Sequence, residues 1–352
     1  MNIHEKYIKR CIQLAKNGLG TTYSNPLVGS VIVHNNLIIG EGWHYKAGQP
    51  HAEVIAINSV KNKELLKNAT LYVSLEPCSH YGKTPPCSDL IIKEQIKNIV
   101  VGTIDPFAKV AGRGIKNLLD AGCNVTVGVM EEKCRALNKR FFTFHTEKRP
   151  YLILKWAESA DGFLSPATTK TTKQIAQPIW ISNKFSRQLV HKWRSEEQAI
   201  LVGTNTASID NPSLTTRNWY GKSPVRVLLD RNLRLSTHLK LLDNTVPTLV
   251  FTEVEKTPSP QQKISYHSVH FDDTLITSIV SKLYDMGIQS LIIEGGYKTL
   301  KGFIDKGLWD EARVFKGNKV FRAGTPAPVI TGDLISLDKI ITDELYIWTK
   351  KT

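Results

Sequence analysis

This sequence is defined first by what it has little of. No stretch of 18 apolar residues occurs, so no segment reads as a membrane-spanning helix. The opening residues, Met1-Asn2-Ile3-His4-Glu5-Lys6-Tyr7, are polar and hold no apolar signal core, which points to the cytoplasm. Cysteine is scarce, with five residues at 11, 78, 87, 123 and 134. An odd number at irregular spacing argues against a disulfide framework. Basic residues form no run of five or six, and aromatics do not interleave with them. Both absences count against a nucleic-acid channel. Repeats and low-complexity tracts are also missing.

What is present is a chain of 352 residues, long enough for two domains with their own cores. Its formal net charge of +14 favours anionic partners. These are either nucleic acid or a phosphorylated metabolite with a phosphate-bearing cofactor; the bland alternative is that the charge only keeps the chain soluble.

Periodicity predicts helices over 3–17, 51–60, 88–95, 114–121 and 131–145, with strands over 28–33, 37–39, 70–75, 98–103 and 124–129. Arg149-Pro150 breaks the pattern, since helices rarely run through the residue before proline. This puts one domain at 1–148 and a second at 149–352. In the second, strands are expected over 151–157, 199–203, 225–229, 247–251 and 290–293. Helices are expected over 183–194, 274–286 and 297–306, a loop over 165–178, and mainly strands in the last 40 residues. Such alternation implies α/β domains whose sheets are covered on both faces.

The chemistry concentrates in residues 51–87. His51-Ala52-Glu53 opens a helical run, and Glu76-Pro77-Cys78 follows a strand-like run about 25 residues later. With Cys87, one His and two Cys make three zinc ligands, which leaves a fourth position for water. Glu53 then takes the general acid/base place of the H-x-E…P-C-x-x-C deaminase signature. Side chains at i and i+2 do not share a helix face, so the metal is expected at the helix tip with Glu53 reaching across. A buried His, two buried Cys and a solvated Glu would be the bland alternative, disfavoured by the order of residues and the proline before Cys78. Eight residues separate the cysteines instead of two. Their loop, Ser79-His80-Tyr81-Gly82-Lys83-Thr84-Pro85-Pro86, is polar and stiff, as a substrate-contacting loop would be.

In the second half, Ile292-Ile293-Glu294-Gly295-Gly296 is a strand ending in glycines before a helix. Amides there can bind phosphate, although a tight turn is the commoner meaning. It is not a Rossmann fingerprint. The stretch 204–217 is polar and follows an apolar strand, which is where ligands bind in open α/β sheets. A capped helix start with a turn at Asn211-Pro212 is an equal alternative.

Asn25-Pro26-Leu27-Val28-Gly29, His51-Ala52-Glu53, the segment 77–87 and Val110-Ala111-Gly112-Arg113-Gly114 together resemble the bifunctional riboflavin biosynthesis deaminase–reductases, and the resemblance covers nearly the whole chain. It implies two three-layer α/β/α domains, one cytidine-deaminase-like and one dihydrofolate-reductase-like. It implies zinc on His51, Cys78 and Cys87, with Glu53 catalytic, and substrate contacts from Asn25, His44, His80 and Lys83. In the reductase half it implies NADPH contacts from Glu158, Trp180, Thr206, Asp210 and the run Gly296, Tyr297, Lys298, Thr299, Leu300, Lys301, Gly302. Substrate contacts there fall to Lys155, Pro178, Arg194, Leu214, Arg217 and Glu294, with the arginines toward a phosphate. The chain departs from the family pattern at Glu158, where a small residue is usual, at Pro178, where a serine is usual, and over 165–177. The expected partner is a small phosphorylated pyrimidine, with neither nucleic acid nor membrane, in a homo-oligomer. The competing reading is a nucleic-acid base deaminase with an appended binding domain.

Overall fold

The structure is a computed structural model that describes residues 2–79, 81, 85–107, 111–167, 179–257 and 261–351. The chain divides into two compact units, Met1–Lys148 and Arg149–Thr352. The first runs α1 (Ile3–Ala15), β1 (Gly29–His34), β2 (Leu37–Trp43), α2 (Ala52–Ser59), β3 (Thr70–Val73), α3 (Cys87–Lys93), β4 (Asn98–Val101), α4 (Arg113–Asp120), β5 (Asn124–Val127), α5 (Glu131–Leu137) and α6 (Lys139–Glu147). Its sheet has the order β2-β1-β3-β4-β5. β1 is antiparallel to both neighbours, while β3, β4 and β5 are parallel.

Strand alternation sends successive side chains to opposite faces, and two cores form accordingly. Ile32, Leu71, Val73, Ile99 and Val101 pack under α2, α3 and α4 through Ala56, Ile57, Ile91 and Leu118. Their sequence neighbours Val31, Val33, Tyr72 and Val100 pack under α1 and α5 through Tyr7, Ile8, Cys11 and Cys134. An asparagine cap at Asn2, with Glu5 completing a capping box, starts α1.

The second unit runs β6 (Tyr151–Glu158), β7 (Phe163–Pro166), α7 (Lys184–Glu196), β8 (Ala199–Gly203), α8 (Thr204–Asp210), β9 (Val225–Leu229), β10 (Thr248–Thr252), β11 (Ile264–Ser268), α9 (Leu275–Asp285), β12 (Ser290–Ile293), α10 (Tyr297–Asp305), β13 (Glu311–Lys316), β14 (Gly324–Pro326), β15 (Gly332–Ile340) and β16 (Asp343–Lys350). Nine strands order as β11-β10-β9-β8-β12-β6-β13-β16-β15. Those from β11 to β13 are parallel, and the last two return antiparallel. One face packs Leu154, Leu201, Val227 and Ile293 against α9 and α10. The other packs Ile200, Val202, Leu228 and Ile292 against Val190 and Trp193 of α7.

Several expectations need correction. The helix read over 131–145 is two helices, because Asn138 turns inward. Its side chain accepts the Leu27 N–H at 2.7 Å and donates to the Leu27 carbonyl at 2.8 Å, a competition for backbone groups typical of asparagine. Residues 165 and 166 are not loop but the end of β7, whose partner β14 lies some 160 positions away. Strand β11 was not foreseen: Ile264-Ser265-Tyr266-His267-Ser268 is half polar, as an edge strand can be. After β8 the local structure follows the expected alternative of a helix start and a turn at Asn211-Pro212: α8 gives way at Asn211, which takes positive φ, although no side chain caps its start.

Candidate active sites

The first site lies where α2, the turn after β3 and α3 converge. His51 is the N-cap of α2, Glu53 sits in its first turn, and Cys87 is the first residue of α3. His51 Nδ1 stands 3.3 Å from Cys87 Sγ and 3.5 Å from Cys78 Sγ, and the Cys87 N–H donates to Cys78 Sγ at 3.3 Å. The three ligand atoms lie within 4.8 Å of one another, the one such group found among the described residues. Tetrahedral zinc with Zn–S about 2.3 Å and Zn–N about 2.0–2.1 Å would set S···N edges of about 3.6 Å, so these donors fit that ion. Cys78, hydrogen-bonded by Cys87 and then by His51, is drawn down toward the thiolate that a metal takes.

Glu53 is buried, at 3% exposure. Burial pushes its carboxyl up to about 7, against the opposing pull of His51, which is the range that suits a proton carrier at neutral pH. His44 is buried beside this centre, its ring 5.3 Å from that of His51 and edge-on to it. Its Nδ1 meets the Pro50 carbonyl at 3.1 Å, so Nδ1 carries the proton and Nε2 accepts from Asn25 Nδ2 at 3.1 Å. Burial lowers the His44 pKa and favours that neutral form. Asn25, His44, His51 and Glu53 thus form one chain of neighbours. His80 and Lys83 lie outside the described residues, as does Pro178 in the second unit.

The second site is a cavity of about 1810 Å³ at the carboxyl ends of β6, β8, β9 and β12. Chain order explains its place. From β6 the chain skips one strand position to β8, continues outward through β9, β10 and β11, and returns to fill the gap with β12. Ligands bind at such switch points. Glu294, just past β12, forms the floor: Oε1 accepts from Lys155 Nζ at 2.7 Å and Oε2 from Arg194 Nη2 at 2.9 Å. Burial alone would raise this carboxyl, but Arg194 and Lys155 outweigh it and bring it to about 2. Arg194 Nε is buried, with no hydrogen-bond partner among the described residues. Arg217, at the rim, uses Nη1 on Ser213 Oγ at 2.8 Å. Two guanidiniums thus border one cavity, Arg194 paired with Glu294 and Arg217 reaching Ser213.

Trp180, Thr206, Asp210, Gly296, Tyr297, Lys298, Thr299 and Gly302 line the same cavity, with Lys155, Arg194, Leu214, Arg217 and Glu294. Leu300 does not; it is buried in the core. Lys301 turns to Asp305, and the Glu158 carboxylate accepts from Trp156 Nε1 at 2.8 Å instead of lining the space. The Gly296 N–H begins α10 and is steadied by Thr206 Oγ1 at 2.9 Å. A Cβ on Gly296 would stand 3.2 Å from that oxygen, so glycine lets the start of α10 sit close against Thr206.

Sequence reasoning missed the groups that shape the loop 211–217. Fully buried Arg226 donates from Nε to the Ser213 carbonyl at 2.9 Å and from Nη1 to Asp243 at 2.8 Å. His191 Nδ1 meets the Thr215 carbonyl at 2.9 Å, and burial, then Arg194 and Arg217, push its pKa down to about 4. It also missed Asn205 and Arg234, which line the cavity. The rule that ligands sit beyond strand ends, applied to β9 as it was to β8, points to residues 230–234.

A three-ligand centre with a buried carboxyl in one unit, and in the other a large cavity at a sheet switch point, point to the class of protein: a zinc-dependent deaminase joined to a nicotinamide-dependent reductase. Family models match both halves: the cytidine and deoxycytidylate deaminase zinc-binding region over residues 1–103 and the RibD C-terminal domain over residues 150–336. The riboflavin biosynthesis protein RibD of Aquifex aeolicus is 42% identical over 92% of this chain and 89% of its own length, and that of Bacillus amyloliquefaciens 39% over 94% and 89%. The crystal structure of a diaminohydroxyphosphoribosylaminopyrimidine deaminase/5-amino-6-(5-phosphoribosylamino)uracil reductase from Thermotoga maritima matches with TM-score 0.88 at 36% identity, over 99% of each chain. The chain belongs to the RibD family, the bifunctional deaminase–reductases of riboflavin biosynthesis, which use zinc and NADPH. Its units have the cytidine-deaminase and dihydrofolate-reductase types of fold. No helix among the described residues is long and apolar enough to cross a membrane.

Proposed function

We propose that residues 1–148 deaminate a phosphoribosylated diaminopyrimidine and residues 149–352 then reduce its ribosyl group to ribityl. The strongest support is the meeting of His51, Cys78 and Cys87 beside buried Glu53. Bound zinc would bring its water from a pKa of about 15.7 to roughly 7. Glu53 takes a proton from the attacking water and passes it to the departing amine, so that ammonia leaves and a ring carbonyl remains. Asn25 and His44 hold the pyrimidine edge, with His80 and Lys83 on the loop between the cysteines.

In the second unit NADPH would supply hydride to the opened sugar carbon. Trp180, Thr206, Asp210 and residues 296–302 cradle the cofactor, with Glu158 beside them. Arg194 and Arg217 take the substrate phosphate, while Lys155, Leu214, Glu294 and Pro178 hold its remaining groups. The partner is this small metabolite and not nucleic acid, in the cytoplasm, where the five free cysteines stay reduced. A homo-oligomer fits edge strand β15, which exposes Leu334, Ile335 and Leu337; a solution mass of 39.5 kDa, that of one chain, would overturn it.

An ammonia-release assay on the pyrimidine, with and without NADPH, tests the reading. Ammonia should appear without NADPH, and NADPH should be consumed only as deaminated product forms. Ammonia release that required NADPH would refute this order.

A further inference from the structure

The segment 111–114 and the glutamate before Pro77-Cys78 have no part in the chemistry derived so far, yet they meet. Glu76 is buried, at 4% exposure. Its Oε1 accepts the Gly114 N–H at 2.9 Å and the Ile115 N–H at 3.3 Å; its Oε2 accepts the Gly112 N–H at 2.9 Å and the Asp105 N–H at 3.2 Å. Among the described residues no Lys or Arg forms an ion pair with it. Four amides among the described residues, three of them at the start of α4, therefore compensate this buried carboxylate.

The grip is tight on its other side as well. A Cβ on Gly114 would fall 1.9 Å from the Pro77 carbonyl oxygen, so only glycine lets α4 seat against the turn that bears Cys78. The Glu76 N–H donates to the Thr103 carbonyl at 2.9 Å, and the Ser88 N–H, next to Cys87, donates to the Cys78 carbonyl at 3.1 Å. Pro77, with its fixed φ, is all that separates the gripped residue from the sulfur-bearing one. Glu76 itself is not in the ligand group.

We propose that Glu76 is a positioning residue of the deaminase centre: by clasping the amides of Asp105, Gly112, Gly114 and Ile115 it holds the Cys78 turn in its ligating position, and metal affinity depends on that clasp. The inference rests on the reading of His51, Cys78 and Cys87 as a zinc site. A purely structural role would lower thermal stability and leave zinc affinity alone. A positioning role couples the two, and coupling is reciprocal.

The experiment has three arms. Glu76→Gln keeps the shape, but its amide nitrogen must face two N–H donors; competition with a chromophoric chelator should show a zinc dissociation constant raised about ten- to hundredfold, the usual effect of losing a group behind a ligand. Gly114→Ala, which keeps the carboxylate but wedges α4 from Pro77, should shift it the same way. In both variants NADPH oxidation with the deaminated intermediate should match the wild type, because that chemistry lies in the second unit. The third arm uses the unaltered protein: the amides of Gly112, Gly114 and Ile115 should exchange with solvent faster after zinc is stripped, and this arm decides should either variant fail to fold. Wild-type zinc affinity in both variants, or exchange at those amides indifferent to zinc, would overturn the inference. Absence of zinc binding by the wild type would instead overturn the site reading on which it rests.

Discussion

At the scale of single residues, the two sites treat burial oppositely: it raises the Glu53 carboxyl in the first, while in the second neighbouring cations keep a buried carboxylate charged. Glu294 stays anionic because Lys155 and Arg194 both reach it, and that pairing leaves Arg194 Nε with no hydrogen-bond partner among the described residues and Arg217 facing the cavity. Removing a charge-assisted contact costs about 1.5–3 kcal/mol, which is roughly ten- to 150-fold in an equilibrium constant. Arg217→Ala should therefore lower kcat/KM for phosphorylated substrate by about that factor and spare a dephosphorylated analogue. Steady-state kinetics on the two compounds check it, and equal losses would remove Arg217 from phosphate recognition. These residues show what a sequence reading can and cannot do. Arg194, Arg217 and Glu294 were assigned through the family pattern. Arg226 and His191, which hold the loop bearing Arg217, were not, because neither belongs to a motif and their partners are backbone carbonyls on another element.

At the scale of elements, secondary structure follows periodicity closely where one face is buried. Strand β12 occupies 290–293 as expected, with all four residues buried. The misreadings have tertiary causes. Helices α5 and α6 separate because Asn138 bonds to Leu27, 111 positions away; nothing local in 131–147 requires the break. Replacing Asn138 by Ala would strand the Leu27 N–H and carbonyl in a buried position, at about 1–3 kcal/mol each before water or relaxation relieves them. The denaturant midpoint of the first unit should fall while that of the second stays put, as followed by urea titration with hydrogen exchange resolved along the chain. An unchanged first-unit midpoint would mean that the bond contributes little. Likewise α8 is short and polar, and its place beyond β8 makes Thr206 and Asp210 part of the cavity wall.

At the scale of the whole molecule, two sheets with separate cores carry two separate sets of reactive groups. On the proposed assignment deamination draws on residues before 90 and hydride transfer on residues after 150, so the chemistries should come apart by substitution. Glu53→Gln should keep zinc and lose ammonia release by about 10²–10⁴ or more, yet still oxidise NADPH when given the deaminated intermediate. Gly296→Val, whose branch would press on Thr206, should release ammonia but not oxidise NADPH. Mixed, the two variants should restore the full sequence. A folded Glu53→Gln protein that was silent in both assays would end the two-site account.

By itself the sequence determined the metal chemistry and the order of the strands and helices around it. His51, Glu53, Cys78 and Cys87 are chemically singular residue types at a rare spacing, and alternation of apolar residues is a local property that survives without coordinates. Only the tertiary structure decided which strands are neighbours, that Glu294 joins Lys155 and Arg194 across 139 and 100 positions, and that Glu76 clasps the start of α4. The reason is physical: such contacts are hydrogen bonds and ion pairs between polar groups that any loop offers in abundance. Which of them form depends on what the buried sheets bring within 3 Å.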